Sequence, residues 1–275
     1  MPYTEIVLSY LNDWLHSKGI QIDSTIHQED FIIVNHTYIS GINLFNYNVD
    51  LYDYIISNPP YFKLAKDDAR TQCCASIVDG QTNIYALFMA ICAKMLGENG
   101  EMIFITPRSF ASGRYFQSFR DYLFENTRLC FVHLFNTRKD TFAKDDVLQE
   151  LVITRFANSN NGRITISHSE GSGDLNDPVI KDYPETDILD PSTADKVVFL
   201  PTDDRDDAIL NLFRSWDGNM EKYDIKISTG PVVAFRIYDY ITSDEDPDTV
   251  PLYWMHNVVK MLADHPVNKK DKGQY

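Results

Sequence analysis

Cysteine is scarce and poorly placed for cross-linking: Cys73, Cys74, Cys92 and Cys130 form no C-x-x-C pair, and two of them are adjacent. That argues against a disulfide framework or a cysteine zinc site and fits the reduced thiols of a cytoplasmic protein. The histidines show no ligand spacing, so no metal centre is expected. No apolar run approaches the roughly 18 residues that a membrane span needs. The opening Met1-Pro2-Tyr3-Thr4-Glu5 lacks the basic and then apolar order of a signal peptide. Positive charge is short too: 25 Lys and Arg against 40 Asp and Glu leave a formal charge of −15. A generic nucleic-acid binder would carry a basic footprint instead. Glycine is absent before Gly19, and Gly171-Ser172-Gly173 lies outside any strand–turn–helix context.

What is present suffices for a core, with 44% hydrophobic residues, 16 Phe and 16 Tyr. Acid concentrates late, in Asp203-Asp204-Arg205-Asp206-Asp207 and Asp244-Glu245-Asp246-Pro247-Asp248. Bases gather earlier, among them Lys66, Arg70, Arg108, Arg114, Arg120, Arg128, Arg138, Lys139 and Lys144. A nucleic-acid partner is therefore disfavoured by net charge but admitted by this stretch. Ile6, Val7, Tyr10, Leu11 and Trp14 have the spacing of an amphipathic helix over 4–18, closed by Gly19. Residues 20–26 read as a strand, 31–39 as an irregular, partly β-like connection, and 51–57 as a buried strand of a parallel sheet. The polar stretch 63–81 suggests a mobile lid. A nearly all-apolar helix over 83–96 leads through Gly97-Glu98-Asn99-Gly100 into a strand at 102–106, which Pro107 stops. A helix over 114–124 and strands over 129–135 and 148–156 finish a doubly wound sheet in a hairpin. Beyond about residue 160 the texture is less regular: short β-like runs at 163–167 and 196–200, a helix over 203–216, then mixed short elements.

The strand at 51–57 ends in Asn58-Pro59-Pro60-Tyr61. The prolines forbid further ladder or helix and hold the preceding residues extended. A rigid polar loop thus sits beyond the carboxyl end of a strand, where open α/β sheets bind ligands. The exocyclic amine of a base is a poor nucleophile, because its lone pair is delocalised into the ring. Methylating it requires acceptors that hold the amine and favour a pyramidal nitrogen. Asn58 offers a side-chain oxygen, Pro59 and Pro60 offer carbonyls, and Tyr61 offers a face for stacking worth ~1–3 kcal/mol. Alone, the tetrapeptide could equally be a stiff turn.

Residues 53–61, DYIISNPPY, resemble the catalytic motif of S-adenosylmethionine-dependent amino-methyltransferases, above all the DNA adenine-N6 methyltransferases of restriction–modification systems. Further resemblances follow in that family's order. NIYALFMAICAKMLGENGEMIFITPRSF is similar to the helix, turn and strand after the catalytic loop, and RYFQSFRDYLFEN to the next helix. RKDTFAKDDVLQELVITRF is similar to the motif whose aromatic packs on the flipped base, at Phe142. ISTGPVVAFR and VPLYWMH resemble parts of the target-recognition domain. The resemblance implies an α/β fold: a partial Rossmann-like methyltransferase sheet over 1–158, then a partial mixed α+β target-recognition domain over 159–275. It implies catalytic roles for Asn58, Pro59, Pro60 and Tyr61, base stacking by Tyr61 and Phe142, and cofactor contacts from Asp30 and Phe31. Double-stranded DNA with an extruded adenine is the implied partner.

The family's glycine-rich cofactor turn and its ribose-binding acid have no counterpart ahead of residue 53. The chain is accordingly expected to begin partway through the methyltransferase domain and to stop partway through the recognition domain. Its remaining N-terminal part or a restriction subunit is then a further expected partner, and cofactor binding by this chain alone is expected to be weak or absent. Two other readings remain open. One is methylation of a protein glutamine or an RNA base; the other is a DNA-binding module without activity.

Overall fold

The computed structural model describes residues 2–40, 50–78, 82–135, 150–171, 175–189, 195–218, 220, 222–226, 232–267, 269–270 and 272–275. The chain divides into two compact units, Met1–Leu210 and Asn211–Tyr275.

The first unit is α/β, and α5 (Ile84–Met95) is at its centre. Ten of its twelve residues are buried, as an almost wholly apolar helix requires. Asn83 caps its start, and Leu96 leads without a break into β2 (Leu96–Pro107). The expected turn at 97–100 exists as a bulge inside that strand. The parallel register of β1 (Tyr52–Ser57) with β2 jumps from Tyr52↔Leu96 to Tyr54↔Glu101. Gly100 is needed there, because a Cβ would meet the Tyr52 carbonyl oxygen at 2.7 Å.

Four more strands complete a mixed sheet: β3 (Arg128–Phe135), β4 (Leu151–Ala157), β5 (Arg163–Ser169) and β6 (Val179–Pro184). Their order is β1-β2-β4-β3-β5-β6. The expected hairpin is β3–β4, and β4 inserts between β2 and β3. The sheet continues past the expected domain boundary near residue 160, because β5 pairs in parallel with β3 and β6 pairs back on β5. Met102, Phe104, Val152, Phe156, Val132, Ile164 and Ile166 join α5 and α6 (Gln117–Asn126) in one core. The other face, where Ile103, Arg155, Phe131 and Thr165 lie in one row, stays half covered.

Several expectations are corrected. Residues 20–30 form no strand and are mostly exposed; Ile20, Ile22 and Ile26 have no second strand to pair with. The segment 31–39 is helical, as α2 (Phe31–Asn35) and α3 (Thr37–Ser40), since Asp30 supplies an N-cap. β1 is not buried: it is the terminal strand of the sheet, with Tyr54 75% and Ile56 80% exposed. The stretch 63–78 is not a loose lid. It carries α4 (Ala69–Cys73) and a single turn over Ala75–Ile77, anchored by buried Leu64, Thr71, Cys74 and Ile77. Residues 196–200 make only an isolated bridge, Leu189↔Val198, beside the short helix α7 (Glu185–Ile188). α1 (Pro2–Ser17) forms as expected, but Ile6, Val7, Tyr10, Leu11 and Trp14 remain exposed.

The helix α8 (Asp204–Ser215) explains the acidic run. Asp203 Oδ1 accepts from the Arg205 and Asp206 amides, while Lys181 of β6 bonds Asp204 at 2.7 Å and Asp207 at 2.9 Å. In the second unit, short strands are sparse among the described residues: β7 (Val258–Val259) and β8 (Leu262–Ala263) pair over two residues. Order there rests on buried Asn257, which accepts from the Trp254 amide and donates to the Asp264 carbonyl and to Gln274 Oε1.

Candidate active site

β1 ends at Ser57, and the next four residues belong to no strand or helix. Asn58 is exposed, Pro59 buried, Pro60 exposed and Tyr61 half-buried. The loop is fixed at its far side, where Ile84 N donates to Phe62 O at 3.0 Å and Leu64 N donates to Thr82 O at 2.8 Å. It is therefore stitched to the first turn of α5 as well as to the end of β1.

Tyr61 is the pivot. Its hydroxyl reaches the Ile105 carbonyl of β2 at 2.7 Å and also contacts the Asn58 carboxamide. Burial pushes its pKa up to about 12. Its ring meets Tyr85 of α5 edge to face, with centroids 6.4 Å apart. Tyr85 is fully buried, stacks on Phe116 at 5.6 Å and bonds Ser109 Oγ at 3.1 Å. Burial also raises the Tyr85 pKa above the usual range. Below this layer lies Arg120, 1% exposed. It donates to the Phe110, Gly113 and Asp195 carbonyls, tying the turn after β2 to α6. Desolvation lowers its pKa, the Asp195 and Asp121 charges opposing.

Asp30 and Phe31 lie at the start of α2. Asp30 Oδ1 accepts from Ile32 N and Ile33 N at 3.0 and 3.1 Å, so half of the carboxylate is spent on the helix. Its Oδ2 faces Arg70 at 3.8 Å. Arg70 pairs at 2.6 Å with Asp68, whose carboxyl its hydrogen bonds hold down at about 2, and lies 5.8 Å over the Phe62 ring. Arg70 thus joins Asp30 to Phe62, the residue after the proline loop. Phe31 stacks on Phe88 of α5 at 4.8 Å, so one of its faces is taken.

Phe142 lies outside the described residues. The ends of its segment are placed: Phe135 closes β3, and Glu150 pairs with Arg108 directly after β2, where Arg108 N donates to Glu150 O at 2.9 Å. The Glu150 end therefore returns to the carboxyl end of β2, while Phe135 ends β3, beyond β4 in the sheet, beside Ser169 of β5.

Sequence reasoning missed Arg70, Asp68, Tyr85 and Ser109. Tyr85 carried a readable signal, a phenol in an almost wholly apolar helix that must find a polar partner when buried. Asp68 read as an N-cap would also have exposed the Arg70 pairing.

S-adenosylmethionine is the group against which these residues are measured. The partly exposed Asp30 carboxylate offers an acceptor for the amine of an adenine ring. Among the described residues before Asn58, no glycine turn between strand and helix provides close backbone approach: Gly19, at φ +75°, follows α1 and nothing lies near it.

Among the described residues there is no cluster that would hold a metal and no helix long and apolar enough to cross a membrane. The chain is 28% identical to the type II methyltransferase M.BsuBI of Bacillus subtilis over 96% of its length and 52% of that protein's. It is 30% identical to the type II methyltransferase M.PstI of Providencia stuartii, over 80% of this chain and 44% of that one. A solved methyltransferase subunit of a type I restriction–modification system from Streptococcus thermophilus matches 73% of this chain and 38% of its own, at 14% identity and a TM-score of 0.42. The chain spans about half the length of the curated relatives it matches. The model of the Eco57I restriction–modification methylase family matches residues 4–142, half of the chain, and the chain belongs to that family.

Proposed function

We propose that this chain carries the amino-methylating site of a DNA adenine-N6 methyltransferase. The supporting observation is the loop at the end of β1, where an exposed carboxamide touches a half-buried phenol and two prolines fill the positions between them. Asn58 and the Pro59 carbonyl accept the two hydrogens of the adenine amine and draw its lone pair out of conjugation. Tyr61 stacks on the extruded base, and Phe142 packs on the opposite side. No base catalyst is needed before attack, because the amine loses its proton only after the nitrogen has become cationic. S-adenosylmethionine, when bound, supplies the methyl group; Asp30 and Phe31 are the residues here that would touch its adenine. The functional division is at residue 158, although the sheet itself runs on through β5 and β6, with 159–275 serving target recognition on double-stranded DNA. The companion is a further methyltransferase segment or a restriction subunit, and the setting is cytoplasmic.

A second reading, DNA binding without catalysis, is favoured by the lack of a cofactor turn among the described residues. Transfer of labelled methyl groups to mixed-sequence duplex DNA separates the two. It should be run with this chain, with the chain set in longer flanking sequence, and with Asn58→Ala. Transfer that falls at least ~100-fold in Asn58→Ala is the expected result; a gel shift with no transfer in any form supports the binding module.

A further inference from the structure

The hydroxyl of Tyr61 has two neighbours and one proton. It lies 2.7 Å from the Ile105 carbonyl oxygen and touches the Asn58 carboxamide at Oδ1. A backbone carbonyl can only accept, so the phenol proton goes to Ile105. Pro59 and Pro60 have no N–H to offer β2 beyond the end of β1, which leaves this bond to Tyr61. With its pKa near 12, the phenol keeps that proton at working pH. An amide oxygen against a phenol oxygen that has no proton left would be repulsive. A half-turn of the carboxamide removes the conflict, since its oxygen and nitrogen occupy nearly the same shape. Nδ2–H then donates to the tyrosine oxygen, and Oδ1 points away from it, on the exposed side of the loop.

We infer that the Tyr61 hydroxyl is a positioning group that fixes the Asn58 carboxamide with its oxygen outward, as an acceptor for the target amine. The order is Ile105 carbonyl, Tyr61 hydroxyl, Asn58 Nδ2–H, each member passing orientation to the next. The inference rests on the amino-methylation reading, because a fixed acceptor matters only where an amine must be held. Without the hydroxyl, the carboxamide turns freely and presents its NH2 to the amine part of the time, which opposes binding in the reactive geometry. The ring, and with it the stacking face, is untouched by removing the hydroxyl.

Two measurements decide the matter, the first on this chain and the second on the chain set in longer flanking sequence, in the form that transfers methyl groups to DNA. The first is side-chain amide exchange in protein labelled with 15N at asparagine, with the Asn58 signal identified by its loss in Asn58→Ala. The native Asn58 NH2 should exchange about 10-fold more slowly than in Tyr61→Phe. Equal exchange in the two proteins, or native exchange as fast as that of exposed surface asparagines, overturns the proposal. The second is methyl transfer to DNA: Tyr61→Phe should lower kcat about 10-fold and leave KM for DNA within about twofold. Native kcat in Tyr61→Phe alongside a dead Asn58→Ala sinks the positioning role alone. Normal transfer by Asn58→Ala sinks the reading of the site itself, whatever the exchange rates are.

Discussion

His133 shows how a single residue sets a pH limit. It is buried on β3, with Nδ1 2.5 Å from Ser167 Oγ and Nε2 3.1 Å from Ser169 Oγ. Ser169 donates to the Gly171 carbonyl, so it accepts from Nε2–H, and Ser167 donates to Nδ1. This arrangement needs a neutral ring. Burial lowers the His133 pKa below 6.5, and His168 adds to it. The unfolded chain therefore binds the proton first as the pH falls, and stability declines from pH 6.5 down to the folded pKa. Urea unfolding at pH 7.5 and 5.5 should show the lower stability at 5.5, and the His133 ring signals should titrate below 6.5; a midpoint above 6.5 contradicts this. None of it was visible in the sequence, where a lone histidine in an apolar strand carries no mark of its partners 34 and 36 positions on. Asn58-Pro59-Pro60-Tyr61 was legible for the opposite reason: its rigidity is local and written in consecutive residues.

At the scale of elements, legibility followed locality again. α1 carried a periodic signal and α5 an unbroken apolar one, and the strands that became β2, β3 and β4 were apolar runs with clear stops. α2 was missed because its five residues, Phe-Ile-Ile-Val-Asn, have strand propensity, and Asp30 decides the outcome from outside. That makes the cap testable apart from any cofactor role. Asp30→Ala should cost about 1 kcal/mol in urea unfolding, and Asp30→Asn, which keeps the acceptor, only a few tenths. Equal losses would mean that the Arg70 contact, rather than the cap, is what Asp30 contributes. β5 and β6 were read as short pieces of another region, since nothing in 163–184 announces that its first partner is β3. Strand order is a long-range property, and composition does not carry it.

For the whole molecule, belonging to a methylase family and carrying a core of α5, α6 and the sheet were both foreseeable. The placement of the second unit's boundary at Leu210 was not, because Lys181, Tyr183 and Asp207 bind α8 to β6 through side chains. The terminal position of β1 has a consequence for the protein in solution. Among the described residues its outer edge has no partner, and Tyr54 and Ile56 face water beside it. An open ladder edge with apolar neighbours is a template for another chain. Opposing that, every molecule carries a formal charge of −15. Salt screens the repulsion but not the strand pairing, with a screening length of about 8 Å at 0.15 M and about 3 Å at 1 M. Self-association in sedimentation should accordingly rise with ionic strength, the reverse of an assembly held by ion pairs, and Ile56→Lys should suppress it without altering the circular dichroism. The colloidal behaviour of the chain then depends on the open edge of β1, one of the sheet's two terminal strands, held in check by the chain's own acidity.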